Sequence, residues 1–253
     1  MGAGDGLVSA FALPGGFDNA AIVQVAMDEE ATPFLAKTEP VGEGYALGEA
    51  LFYPRVLATD TDELKILLVR SKIGLVNAAT ALSVALALVP TPRVIVSAGT
   101  AGGLRADVNV GDLAVGTDYT YTDADATAFG YEFGQVPGMP ATYATDPALV
   151  EKARAAAAAY TGEGSVLFGQ MLAGGSFVTA HNVKDTRQLF PQALSTDMET
   201  TALAQISSSR SLPFIAVRGI SDLCGPAADQ DFHMDAPIVA ERSATLVLDL
   251  LSR

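Results

Sequence analysis

The chain of 253 residues is 49% hydrophobic and 17% charged, a globular composition with apolar material for one large α/β domain or two small ones. Its formal net charge of -14 disfavours nucleic acid or an anionic membrane as a partner, since a polyanion would be repelled, and a small neutral or cationic ligand fits better. One cysteine, Cys224, excludes an internal disulfide, and two histidines, His181 and His233, offer no zinc-like spacing, so a cytoplasmic protein without metal or other cofactor is expected.

Residues 1–20 carry no basic residue ahead of their apolar patch, which argues against a secretory signal, and Gly6 stands where a myristoylation motif needs Ser or Thr. They read as a flexible leader, followed by one domain over 21–253. "AIVQVAM" (21–27) suits a buried strand, and "MDEEATPFL" follows as an acidic helix start, which sets carboxylates at a strand's C-terminal end. Residues 45–70 read as strands joined by polar turns. "GLVNAATALSVALALV" reads as a buried helix, stopped by Pro90 and Pro92 before it could span a bilayer. "RVIVSAG" (93–99) is a buried strand running into a Gly-rich turn, after which "GDLAVGTDYTYTD" resumes β character.

"DADATAFGYEFGQVPGMP" (123–140) has neither helical nor alternating period and reads as a long ordered loop, a kind that in compact domains is usually functional. "DPALVEKARAAAAAY" is a helix capped by Asp146, and "GSVLFGQMLAG" a strand. "NVKDTRQLF" and "METTALAQISSSR" are helices, "PFIAVRGIS" a strand, and "PIVAERSATLVLDLLS" a closing amphipathic helix. The alternation implies a largely parallel sheet covered on both faces.

Ligands of open α/β sheets collect at the carboxyl ends of strands. Glu30, Glu199 and Asp222 stand there, with hydroxyls at Thr100 and Ser221. Singly, each acid is also explained as a helix cap or a solvated first turn. Together, at three strand ends, they are more informative. "AGTAGG" is reminiscent of a dinucleotide loop, with Asp123 about 20 residues on where a ribose acid belongs, but its spacing is not G-x-G-x-x-G and a strand follows instead of a helix. A helix after Gly103 would revive that reading. "GGSFV" lacks the closing Gly of a hydrolase elbow, so Ser176 reads as a loop residue, the histidines as surface or packing residues and Cys224 as a buried filler.

In their order and spacing, "AMDEE", "SAGTAGGLRADVNVGD", "DADATAFGYEFGQVPGMP", "TDMETTALAQ" and "RGISD" closely resemble the bacterial 5′-methylthioadenosine/S-adenosylhomocysteine nucleosidases of the nucleoside phosphorylase superfamily, from about residue 21 to the end. The resemblance implies a single-domain, three-layer αβα fold around a mixed, partly barrel-like sheet. It implies hydrolysis of the bond between adenine and a 5′-thio-substituted ribose through an oxocarbenium-like transition state. Asp222, oriented by Ser221 and kept protonated by burial, would protonate N7 of the leaving adenine. Glu30 would activate a water held by Thr100 and Arg218, with Thr100 standing where the family usually has Ser.

By the same resemblance Glu199 would bind the ribose hydroxyls. Met198 would pack on the sugar, Phe177 stack on the base, and the backbone at Phe177 and Val178 read its edge. Ile73, Met27 and Phe232 would wall the pocket. Phe129 and Pro137, with Tyr131 beside them, would cover the 5′-thio group of a neighbouring subunit in a homodimer. Gly175 departs from the family's usual acid in the base-binding loop. The 5′ substituent stays open between methylthio, homocysteinyl and the larger group of 6-amino-6-deoxyfutalosine. A phosphorylase would set a phosphate dianion beside Glu30, where the charges repel, so water is preferred. A nucleoside-binding protein without catalysis is the alternative of another class, opposed by the intact acids.

Overall fold

The computed structural model of the chain describes residues 12–59, 62–225 and 228–253, and for 228–235 the backbone alone. The strands are β1 (Ala21–Val25), β2 (Glu39–Pro40), β3 (Tyr45–Leu47), β4 (Ala50–Ala58), β5 (Glu63–Arg70), β6 (Ile95–Gly103), β7 (Leu113–Tyr121), β8 (Tyr143–Ala144), β9 (Val166–Ala173), β10 (Ser195–Asp197) and β11 (Phe214–Asp222). The helices are α1 (Asp28–Lys37), α2 (Leu75–Leu88), α3 (Pro147–Ala159), α4 (Val183–Leu189), α5 (Thr200–Ser209) and α6 (Ala228–Ser252), with a short 3-10 turn over Thr127–Phe129.

One sheet takes the order β10-β9-β7-β11-β6-β1-β5-β4-β2, with β3 beside β4 and β8 beside β7. β10 also pairs with β6, closing β6, β11, β7, β9 and β10 into a five-stranded barrel. The sheet is mixed, which corrects the largely parallel reading. No helix separates β6 from β7, so the chain turns back and β7 runs antiparallel to β11 while β11 runs parallel to β6. β4 and β5 likewise form an antiparallel pair.

Successive residues of β1 face opposite sides of the sheet, as a strand requires. Ile22 joins a core built with Ala78, Leu82 and Leu86 of α2 and Leu203 of α5, and Val23 joins one built with Phe34 of α1, Ala153 of α3 and Leu246 and Val247 of α6. Three layers result, α2 and α5 on one face and α1, α3 and α6 on the other. The uncharged α2 keeps its helix because its apolar face is buried, not because of caps: Gly74 at its N-cap makes no side-chain bond. Asp146 caps α3 as expected, accepting from the N–H of Ala148 at 2.8 Å.

Phe17 and Ala20, ahead of the expected domain start at 21, are buried in the core, and residues 1–11 of the expected leader lie outside the described residues. α6 starts at Ala228, nine residues before the expected helix, which begins at Pro237. Among the described residues no helix is long and apolar enough to cross a membrane.

Candidate functional site

The ends of β1, β6, β10 and β11 surround one cavity. Register brings two of its walls level: Gly102 of β6 pairs with Asp222 of β11 on one side and Thr196 of β10 on the other. Of the residues expected at a site, Glu30, Thr100, Glu199, Arg218, Ser221 and Asp222 all line this cavity. So do Met27, Ile73, Phe177, Val178 and Met198, with Ile73 and Phe177 at the exposed mouth. Phe129, 83% exposed, and Pro137, also exposed, do not reach it. The side chain of Phe232 lies outside the described residues.

Glu30 sits in the first turn of α1, where the helix's free N–H groups face a carboxylate. Its Oε2 accepts from the N–H of Ala26 at 2.8 Å and of Met27 at 3.1 Å, and its Oε1 from the N–H and hydroxyl of Thr100 at 2.8 and 2.9 Å. Gly99 makes room for it. At φ +130°, a Cβ there would stand 2.3 Å from Oε1, so any side chain would displace the carboxylate.

Arg218, 1% exposed, is the hub of the opposite wall. Its guanidinium donates to Ser97 Oγ at 2.8 Å, Thr100 O at 3.0 Å and Thr200 Oγ1 at 3.1 Å, and lies 3.3 Å from both Asp197 Oδ2 and Glu199 Oε2. Burial works against its charge, but Asp197, Glu199 and Glu30 overcome it and hold its pKa above the ordinary arginine value. Asp197 also accepts from the N–H groups of Glu199 and Thr200, both at 2.8 Å, fixing the turn into α5 on which Glu199 stands. Glu199 Oε1 accepts from Gly74 N–H at 2.8 Å. Burial pushes the Glu199 carboxyl up to about 7, Arg218 and the Gly74 bond opposing, Asp197 and Glu30 adding to the rise.

Asp222, 2% exposed, ends β11. Its Oδ2 accepts from Ser221 Oγ at 3.0 Å and its Oδ1 from Cys224 N–H at 2.8 Å. Cys224 does more than fill space: it lines the cavity, its backbone holds the acid, and burial, then Asp222, push its thiol up to about 12. The Thr196 hydroxyl on the same wall is buried, with no hydrogen-bond partner among the described residues.

Asp197, Gly99, Gly102 and Thr196 are site residues that sequence reasoning missed. The Gly-rich segment held the available signal: it is not a turn but the end of β6, and a Cβ at Gly102 would stand 2.5 Å from Cys224 Sγ and 3.2 Å from Asp222 Oδ1. No helix follows Gly103, so the dinucleotide reading is not revived. Ser176 touches the cavity, but no hydrogen bond among the described residues joins it to a histidine. Among the described residues, no group of three or more His, Cys, Asp or Glu is arranged to hold a metal ion.

Chemically the cavity offers four carboxylates at strand ends, Glu30, Asp197, Glu199 and Asp222, with a buried cation and an apolar mouth, a setting for a polar ring or sugar with an apolar extension. The family model "Phosphorylase superfamily" matches residues 20–252. The 5′-methylthioadenosine/S-adenosylhomocysteine nucleosidase of Halalkalibacterium halodurans is 39% identical over 230 residues, 90% of this chain and 96% of that protein. That of Geobacillus kaustophilus is 36% identical over 228 residues, 90% and 94% of the two chains. Among solved structures, the nucleosidase from Neisseria meningitidis in complex with methylthio-immucillin-A superposes with a TM-score of 0.86 at 32% identity, covering 92% of this chain and 99% of that one. The nucleosidase from Colwellia psychrerythraea in complex with adenine gives 0.85 at 30% identity, over 92% and 94%.

Proposed function

This chain belongs to the phosphorylase superfamily, among its 5′-methylthioadenosine/S-adenosylhomocysteine nucleosidases, which are N-glycosyl hydrolases, and from that premise we propose that it releases adenine from a 5′-thio-substituted adenine nucleoside by attack of water. The observation that carries the reading is the meeting of Glu30, Glu199 and Asp222, from three strand ends, around Arg218 in one cavity.

Asp222 is the acid. Its Oδ2 is held by Ser221 and its Oδ1 by Cys224 N–H, so the carboxyl is aimed before the base arrives, and protonation of the purine turns a poor leaving group into a neutral one. Glu30 is the base. A carboxylate has about four acceptor positions, and here four donors fill them, three of them fixed backbone N–H groups. Only the Thr100 hydroxyl can rotate. Water therefore reaches Glu30 by taking that hydroxyl's place, and Thr100 Oγ1 turns to bond the same water. Threonine serves this role as well as serine, since both carry the hydroxyl.

Glu199 receives the ribose hydroxyls, whose donation favours the ionised carboxylate that burial disfavours in the free protein. Its negative charge then stabilises the cationic ribosyl group of the transition state. Phe177, Val178 and Met198 enclose base and sugar. A homodimer completes the pocket, with Phe129 and Pro137 of the 123–140 loop covering the neighbour's 5′ substituent; what supports this is the outward projection of both residues from an anchored loop. Gly134 N–H donates to Ala124 O at 2.8 Å, and Thr120 Oγ1 to Ala141 O at 3.0 Å.

The test is Asp222→Asn. Turnover of methylthioadenosine should fall by about 100-fold or more while nucleoside binding persists. A fully active variant would remove Asp222 from its role, and a parent protein that binds adenine nucleosides without ever releasing adenine would make this a binding protein.

A further inference from the structure

Arg187 of α4 bridges the ends of β6 and β11 beside the proton donor. Its Nε donates to Leu104 O at 2.8 Å, and its Nη2 to Leu223 O at 3.1 Å and Gly103 O at 3.4 Å. Leu223 C=O and Cys224 N–H belong to the same peptide group, and that N–H is the one on Asp222 Oδ1 at 2.8 Å. A guanidinium on the carbonyl end of a peptide draws electrons from its N–H end and makes that N–H a stronger donor. Cys224 has φ +54°, a left-handed conformation that a residue with a side chain adopts at a cost, so the peptide needs an external hold to keep this orientation. The other two bonds of Arg187 grip the end of β6, beside the Gly102 that packs on both Asp222 and Cys224. The cation is close enough to act on the Cys224 thiol against the effect of burial.

We infer that Arg187 is a positioning residue for protonation of the leaving base, acting on Asp222 through the Leu223–Cys224 peptide. The inference rests on the nucleosidase reading above. Arg187 does not line the cavity, so it touches no substrate and its influence passes through the acid. α4 follows directly on the loop that carries Phe177 and Val178, so the same side chain also sets that loop against the acid.

Two substrates separate the role from a general loss of structure. Adenine must be protonated to leave; 4-nitrophenolate leaves without a proton, so a 4-nitrophenyl 5-methylthioriboside needs Glu30 and Glu199 but not Asp222. Arg187→Ala should lower kcat on methylthioadenosine by about tenfold or more with KM little changed, and leave kcat on the nitrophenyl riboside within about threefold of the parent. Arg187→Lys keeps the charge without the fork and should recover part of the loss on methylthioadenosine. It also serves where the alanine variant does not fold. Equal losses on both substrates, a change confined to KM, or full activity of the alanine variant would each overturn the inference. If the parent releases no adenine at all, it is the nucleosidase reading that fails.

Discussion

Glu199→Gln should remove a pH dependence from the stability of the free protein. Burial lifts the Glu199 carboxyl from 4.5 to about 7, with Arg218, 3.3 Å away, pulling the other way and losing. A carboxyl whose folded value lies above its unfolded one favours the fold while protonated; that contribution is complete below about pH 4.5 and is lost as the pH rises through about 7. At about 1.4 kcal/mol per pH unit, the loss amounts to roughly 3 kcal/mol, a large part of a domain's stability. A glutamine is neutral throughout and keeps a carbonyl for Gly74 N–H. Urea unfolding of parent and variant, without nucleoside, at steps from pH 4.5 to 8 reads the effect of this carboxyl and its coupled neighbours Asp197 and Glu30, because carboxylates away from the site cancel in the difference. The variant should gain on the parent by about 3 kcal/mol across that range. If the Arg218 ion pair outweighed burial, the folded value would lie below 4.5, the parent would gain on the variant only below that pH, and the difference from pH 4.5 to 8 would be nearly flat. A difference that is flat, or in which the parent gains, refutes the argument.

Gly99→Ala puts a methyl 2.3 Å from Glu30 Oε1 at a φ of +130°, so the carboxylate must leave Thr100 or the strand must shift. Stability measured by denaturant unfolding should drop by about 3 kcal/mol, and turnover by about 100-fold, whereas an active, stable variant would show that Glu30 does not need this seat. Phe129→Asp should weaken self-association in sedimentation and raise KM for methylthioadenosine by about tenfold, with the monomer's fold unchanged by circular dichroism. A fully active monomer at assay concentration would end the reading of the 123–140 loop as part of a neighbour's pocket.

The acids at the ends of β1 and β11 were legible in the sequence because each follows a short, largely apolar run suited to a buried strand. The meaning of the glycines in "SAGTAGG" was not. They resemble a turn locally, yet what demands them is the Glu30 carboxylate, 70 residues from Thr100 in the chain, and the Cys224 thiol, both arriving from elsewhere to touch the β6 backbone. β10 was missed for a related reason. Three residues carry no periodicity, and Ser195–Asp197 form a strand only because β9 and β6 stand on either side. Asp197 was visible in "TDMETT" but its work was not, since its partner Arg218 is two elements away. The parallel reading of the sheet failed because the strand-to-strand step from β6 to β7, already visible in the sequence, carries no crossover helix, so the chain turns back there and β7 runs antiparallel to β11.

In the proposed reaction water, activated at Glu30, accepts the ribosyl group. The direct measurement is product analysis of methylthioadenosine turnover in phosphate-free buffer and again with phosphate added. Hydrolysis should yield adenine and free 5-methylthioribose in equal amounts, at a rate that phosphate does not raise. Adenine release that requires phosphate, with a ribose 1-phosphate as the second product, would contradict it.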